Sequence, residues 1–145
     1  MKKSEYDKLV KKKSNKKNPY GHIKKGKAAD IPGDYFFRST WEKNVARYFQ
    51  WLKNKGEIKS WEYEPVKFDF SAKKKRGVTC YTPDFRVEEN DGRKIYHEVK
   101  GWMKPQDQVK LNCMERYYPF IELKVVGKEE YKAISQFAKL IPGWE

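Results

Sequence analysis

Tyr81-Thr82-Pro83-Asp84-Phe85 and Tyr96-His97-Glu98-Val99-Lys100-Gly101, joined through Glu89-Asn90-Asp91-Gly92, decide how this chain is read. The flanking residues extend them to two strand-like segments, Val78–Val87 and Arg93–Val99. Asp91-Gly92 between them is a hairpin signal, because such a turn needs positive φ. Side chains alternate along a strand, so Glu98 and Lys100 share one face. If the two strands pair across the turn, Asp84 lies beside them. Two carboxylates at one point resist joint ionisation unless a cation sits between them. A hard ion with oxygen ligands, such as Mg²⁺, resolves that conflict. An ion there can polarise a phosphoryl oxygen and activate a water, while Lys100 can stabilise charge building on phosphate.

Outward from this hairpin, the periodicity predicts an α/β domain. Ser39-Thr40-Trp41-Glu42 opens a helix to about Lys55, with an apolar stripe of Trp41, Val45, Tyr48, Phe49 and Leu52, and Gly56 stops it. Ile58–Phe70 reads as a strand, edge-placed or bulged because Pro65 cannot donate to a ladder. After this hairpin, and beyond Pro105, Asp107 can cap a helix to about Tyr117, with Lys110, Cys113, Met114 and Tyr117 on one face. Phe120–Val126 reads as a short buried strand. Lys128–Leu140 reads as a closing helix through Tyr131, Ile134, Ala138 and Ile141, ended by Pro142-Gly143. The order is α-β-β-β-α-β-α. Short turns make the first three strands an antiparallel meander, and the helical crossover makes the last parallel to the third.

The chain has 145 residues, enough for one domain with a modest core. Its 33 Lys+Arg against 20 Asp+Glu leave a net charge of +13, which draws polyanions: nucleic acid first, an anionic membrane surface second. Residues 1–27 hold eleven lysines against Glu5 and Asp7. Residues 1–34 are therefore expected to form a basic, largely flexible arm that grips DNA, or else a plain solubility tail, ahead of a domain over 35–145. No apolar run approaches membrane-spanning length and no signal peptide is visible, so a cytoplasmic location is expected, the host's if the chain is phage-encoded. Cys80 and Cys113 are too few for a disulfide framework, and with His22 and His97 they make no convincing zinc site. They read as two small reduced core residues.

Each candidate has a plainer reading. Glu42 shares a helix face with Val45, Ala46 and Phe49 and can add a carboxylate to the site. Ser39-x-x-Glu42 is equally a capping box, in which Glu42 bonds the backbone N–H of its cap. In a chain that is 37% charged, Glu-x-Lys pairs arise by chance. Glu98 and Lys100 can be solvated sheet residues, and Asp84 after Pro83 a turn residue.

Taken together, Phe37-Arg38-Ser39-x-x-Glu42, Tyr81-Thr82-Pro83-Asp84-Phe85 and Glu98-Val99-Lys100-Gly101 resemble the PD-(D/E)xK nucleases, and among them the phage endonuclease I-type Holliday junction resolvases and related small phage endonucleases. The likeness covers about residues 36–145, including the stretch from Gly56 to Phe68 and Lys139-Leu140-Ile141-Pro142, and leaves out the lysine arm. It implies a restriction-endonuclease-like core, a four-stranded mixed sheet flanked by helices, and Mg²⁺- or Mn²⁺-dependent cleavage of DNA. By position, Asp84 and Glu98 match metal ligands, the Val99 carbonyl a backbone ligand, Lys100 the catalytic lysine and Glu42 the helix carboxylate. Similar nucleases serve as transposase subunits and restriction enzymes, so nicking, flap or transposon-end cleavage stands beside junction resolution. A basic DNA-binding module without catalysis is the alternative from outside the enzymes.

Around this centre, Lys104, Lys110, Arg116 and the loop Lys73-Lys74-Lys75-Arg76 are candidate phosphate contacts or ordinary solvated side chains. His97 alternates with Glu98 and is expected on the opposite face as a structural histidine. Trp102 can stack on a base or simply pack, and Asp107 and Gln108 are expected to serve the helix start. A homodimer is expected, since resolving a junction takes two cuts, and Glu42 can then serve its partner's site.

Overall fold

The computed structural model describes residues 25–145. The lysine-rich arm up to residue 24 lies outside the described residues. In chain order the elements are β1 (Gly26–Lys27), β2 (Phe36–Phe37), α1 (Thr40–Asn54), β3 (Ser60–Tyr63), β4 (Phe68–Asp69), β5 (Cys80–Tyr81), β6 (Phe85–Glu88), β7 (Lys94–Val99), α2 (Pro105–Tyr117), β8 (Glu122–Val126) and α3 (Lys128–Ser135).

The main sheet has four strands in the order β3-β6-β7-β8. β3/β6 and β6/β7 are antiparallel, and β8 runs parallel to β7 after the α2 crossover. This is the mixed α/β sheet that the hairpin and crossover signals predict. Gly92 adopts φ +89° in the β6–β7 turn, a conformation open to glycine. Alternation along β7 gives the sheet two dry faces. Val99 joins Phe85, Val87 and Val126 in a core against Val45, Ala46 and Phe49 of α1, with Tyr131 and Ile134 of α3 packed at its margin. Tyr96 points the other way, into a second cluster with Cys113 and Met114 of α2.

The largest departure from the sequence pattern lies in the two long strands. Ile58–Phe70 does not run through as one strand but splits into β3 and β4, and Val78–Val87 splits into β5 and β6. β4 and β5 pair with each other in a separate small sheet. The breaks face one another across the hairpin: the β3–β6 ladder stops at Tyr63–Phe85 and the β4–β5 ladder stops at Phe68–Tyr81. Glu64 takes φ +45° and donates its N–H to the Asp84 carbonyl at 2.7 Å. Pro65 and Pro83 remove the donors that would have continued the ladder.

Other differences have simple causes. Residues 25–34 were expected within the arm, yet Ile31 is buried, β1 pairs with β2, and Asp30 makes a double hydrogen bond with Arg47 at 2.8 and 3.1 Å. Phe120 is 98% exposed and Val126 alone is buried in β8, because β8 is the edge of the sheet rather than an inner strand. Cys80 is exposed in the short β5 rather than a core residue, whereas Cys113 is buried, and both are free. The closing helix stops at Ser135, short of Leu140, and consecutive turns carry the chain to the buried Ile141.

Phe85 is fully buried and touches the rings of Phe49, Trp61 and Tyr63. Phe85→Ala is expected to destabilise the domain by about 3–5 kcal/mol through lost burial and the cavity left behind. Urea denaturation measures this, and a loss below about 1 kcal/mol would mean that this side chain does not anchor the sheet to α1.

Candidate active site

The site forms where β6 and β7 stop pairing. Phe85 opposite His97 is the last pair of their ladder, so Asp84 and Glu98 stand one step beyond it. Asp84 is 4% exposed, and its Oδ2 accepts the Val99 N–H at 2.8 Å. Its side chain thus takes up a strand N–H that the ladder no longer pairs. Glu98 alternates away from His97 and Val99, and its Oε2 accepts the Tyr81 hydroxyl at 2.5 Å. Glu42 reaches in from the first turn of α1 and is buried, its Oε2 accepting both the Arg38 N–H and the Tyr63 hydroxyl at 2.8 Å.

This arrangement separates two jobs that the sequence pattern had merged. Ser39 caps α1, its Oγ accepting the Glu42 N–H at 3.1 Å. Glu42 does not return a bond to the Ser39 N–H, as a capping box would; it bonds one residue earlier and turns its carboxylate to Tyr63. Each of the three carboxylates therefore spends one oxygen on protein donors. Among the described residues, the second oxygen of each accepts no hydrogen bond.

Glu42, Asp84, Glu98, Val99 and Lys100 all line one cleft of about 640 Å³, together with Arg38, Trp41, Trp102, Lys104 and Lys128. Burial, then the charges of Glu98 and Glu42, push the Asp84 carboxyl up to about 8, against the opposing pull of the Val99 N–H and Arg38. Burial also raises Glu98, despite the Tyr81 hydroxyl and the Lys100 ammonium. Tyr63 and Tyr81 are held protonated by burial and by the carboxylates they serve, so both remain donors. The cleft thus concentrates negative charge that its own dielectric disfavours.

Lys100 is half-buried, with Nζ 3.3 Å from Asp107 Oδ1. Asp107 does not cap α2 as expected. Lys104 occupies the cap and Pro105 the first turn, which places Asp107 where its Oδ2 accepts the Lys104 N–H at 3.0 Å. Its other oxygen is then free to hold the lysine. Burial opposes ionisation of Asp107, but the Lys104 N–H and Lys100 outweigh it and hold the carboxyl below its usual range.

The remaining predicted residues divide. Lys104 lines the cleft, while Lys110 does not line it but lies close enough to favour the charged form of Glu98. Lys73, Lys74, Lys75 and Arg76 sit in the β4–β5 loop away from the cleft lining, where Lys74 bonds the carbonyls of Arg76 and Val78 and Lys75 that of Ser71. Arg116 lies over the Tyr117 ring. His97 packs against Phe49 with centroids 5.1 Å apart, and burial lowers its pKa to about 4, so it is a neutral structural residue. Trp102 is 74% exposed, not packed.

Tyr63, Tyr81 and the ion-pairing of Asp107 escaped the sequence reading. A trace of the first two was available: a tyrosine in an otherwise apolar strand needs a partner for its hydroxyl. Among the described residues, no group of three or more His, Cys, Asp or Glu side chains is placed to hold a metal ion. Asp84 and Glu98 each keep one carboxylate oxygen without a hydrogen bond among the described residues, and Val99 and Glu42 line the same cleft. An acidic pair of this kind fits a hard divalent cation.

A family model described as "Protein of unknown function (DUF1064)" matches residues 23–133, which span β1 to α3 and include every residue of the site. The chain belongs to that family. No curated protein matches it.

The raised Asp84 pKa has a direct thermodynamic sign. A carboxyl that ionises near 3.8 in the unfolded chain and near 8 in the fold favours folding fully at low pH, and that contribution is lost as pH rises through about 8. Metal-free protein is therefore expected to lose thermal stability between about pH 5 and pH 8, with Asp84→Asn flattening the loss and melting higher at the alkaline end. Parallel melting profiles for the two proteins would assign the titration to another group.

Proposed function

We propose that this chain is a divalent-metal-dependent DNA endonuclease of the PD-(D/E)xK kind, with a restriction-endonuclease-like core and branched DNA as its substrate. The observation that carries the reading is the cleft itself: buried Asp84 and half-buried Glu98, whose charges repel, with one oxygen each left over, beside an ammonium held by Asp107. Keeping two carboxylates together in a poorly solvated cleft disfavours their joint ionisation. Such a pair is what a phosphodiester hydrolase needs before its cation arrives.

Asp84, Glu98 and the Val99 carbonyl would hold the Mg²⁺ or Mn²⁺, with Glu42 as the candidate further carboxylate. Once bound, the ion supplies Lewis acidity towards a phosphoryl oxygen and a more acidic water. The chain's own residues do the rest. The Val99 N–H and the Tyr81 and Tyr63 hydroxyls fix one oxygen of each carboxylate, so the others are presented without a search through rotamers. Lys100 brings a positive charge to where a scissile phosphate would enter, and stabilises the charge that grows there. Asp107 keeps that ammonium from folding back onto Glu98. The surplus of positive charge attracts the polyanion without reading bases. A junction needs paired cuts, and a homodimer supplies two such clefts.

The test is cleavage of a four-way junction, a flap and a linear duplex built from the same sequences, with and without Mg²⁺. Junction cutting in Mg²⁺ alone is expected, and Glu98→Gln and Lys100→Ala should each lower it by at least about 100-fold while DNA binding survives. Preference for the flap or for one strand of the duplex would move the substrate within the same chemistry. Binding without cutting by the wild type would leave a DNA-binding module and remove the enzyme. Mg²⁺ should also raise the melting temperature of the wild type but not of Asp84→Asn.

A further inference from the structure

The five tryptophans of the chain are not placed alike. Trp41 stacks on Tyr131 with centroids 4.1 Å apart, and Trp144 lies against the same tyrosine at 5.7 Å. Trp51 meets Phe137 and carries Lys55 over its ring at 4.3 Å. Trp61 is buried and donates its indole N–H to Gln50 at 2.9 Å. Trp102 has no ring, cation or hydrogen-bond partner among the described residues, and is 74% exposed. Leaving so large an apolar ring in water is unfavourable, and tryptophan is among the more buried residue types on average.

Its position is not that of a loose tip. Trp102 follows Lys100 and the strand that carries Glu98, and it lines the same cleft. The backbone on one side is pinned at Gly101, where even a Cβ would meet the Trp41 ring at 3.2 Å. On the other side Pro105 holds Lys104 extended, at φ −81° and ψ 159°. The charges around it are also sorted. Arg38 is paired with Glu64 and Lys100 with Asp107. Lys104 and Lys128 line the cleft, exposed, with no ion pair among the described residues. A bare indole face on a constrained stretch of backbone, beside two unneutralised ammonium groups, complements a nucleotide, base to ring and phosphate to lysine.

We infer that Trp102 is a stacking platform for an unpaired base next to the scissile phosphate, with Lys104 and Lys128 holding the flanking backbone. The inference rests on the nuclease reading for its scissile phosphate and goes further by naming the substrate class. A base inside a continuous duplex is already stacked on both sides and offers the ring no face. The cleft therefore selects DNA with an unpaired or frayed nucleotide at the cut, as at a junction crossover or the foot of a flap.

Binding of a duplex with a single-stranded tail and of a fully paired duplex of equal length is compared in EDTA, by anisotropy. Wild type, Trp102→Ala and Trp102→Phe are used, each checked for native melting; the exposed position makes both substitutions compatible with folding. The wild type should prefer the tailed probe by about tenfold, Trp102→Ala should remove that preference with duplex affinity unchanged, and Trp102→Phe should retain most of it. The same preference in Trp102→Ala overturns the proposal. So does a wild type that binds both probes equally, or a loss in Trp102→Ala that extends to the duplex. Mg²⁺-dependent cutting that disappears in Lys100→Ala is scored on the same preparations. Cutting without a Trp102-dependent preference sinks the platform and leaves the nuclease; a Trp102-dependent preference without cutting does the reverse.

Discussion

A carboxyl group buried where two strands part is the constraint around which this structure is arranged. Asp84 is almost without solvent, and its ionisation is opposed by burial and by two neighbouring carboxylates. It is held there by the Val99 N–H on one side and, through its backbone carbonyl, by the Glu64 N–H on the other. Moving the side chain away would leave a buried strand N–H unpaired, which costs more than the hydrogen bond itself contributes. The group therefore stays in an environment that disfavours its charge, and the surrounding shell is explicable as compensation. Arg38 offsets the charge of Asp84, Lys100 and the Tyr81 hydroxyl that of Glu98, and the Tyr63 hydroxyl bonds Glu42.

The aromatic frame makes that shell rigid. Tyr63 packs on Phe37 and Phe85, with centroids 4.7 and 5.3 Å apart, while its hydroxyl serves Glu42. The ring thus spans from the apolar core to the acidic cleft and transmits the fixity of the one to the other. Trp41 does the same at the entrance, stacked on Tyr131 and closing over Gly101. Orientation at this site is a packing result before it is an electrostatic one.

Much of this was legible in the amino-acid order, and the boundary is instructive. The hairpin at Asp91-Gly92, the helix opened by Ser39 and the parallel return of β8 follow from period, turn chemistry and the handed crossover, all of which are local. The meeting of Asp84, Glu98, Lys100 and Glu42 in one cleft could be anticipated because three of the four lie on a single hairpin. The double break at Glu64–Pro65 and Thr82–Pro83 was half visible: Pro65 raised the question, but only the partner strand shows that both interruptions fall at one level. The pairing of Lys100 with Asp107 could not be read, since it depends on the helix starting at Pro105 rather than Asp107. Equally hidden was the packing of residues 25–34, where lysine content masked Asp30 and Ile31, whose partners come from α1 and beyond.

The split of the long hairpin also changes what holds Glu98. Its backbone belongs to the four-stranded sheet, but the hydroxyl that aims its carboxylate comes from Tyr81, on the small β4–β5 ribbon. That ribbon is seated on α2 by Phe68 and Phe70 against Tyr117 and Tyr118, and carries the lysine-bearing loop at its far end. Aim and anchorage thus come from two sheets, linked at Glu64–Lys67 and Thr82–Asp84 and packed together where Phe68 meets Tyr96 of β7 at 5.3 Å. The direction in which Glu98 presents its carboxylate therefore depends on a ribbon outside the sheet that bears it.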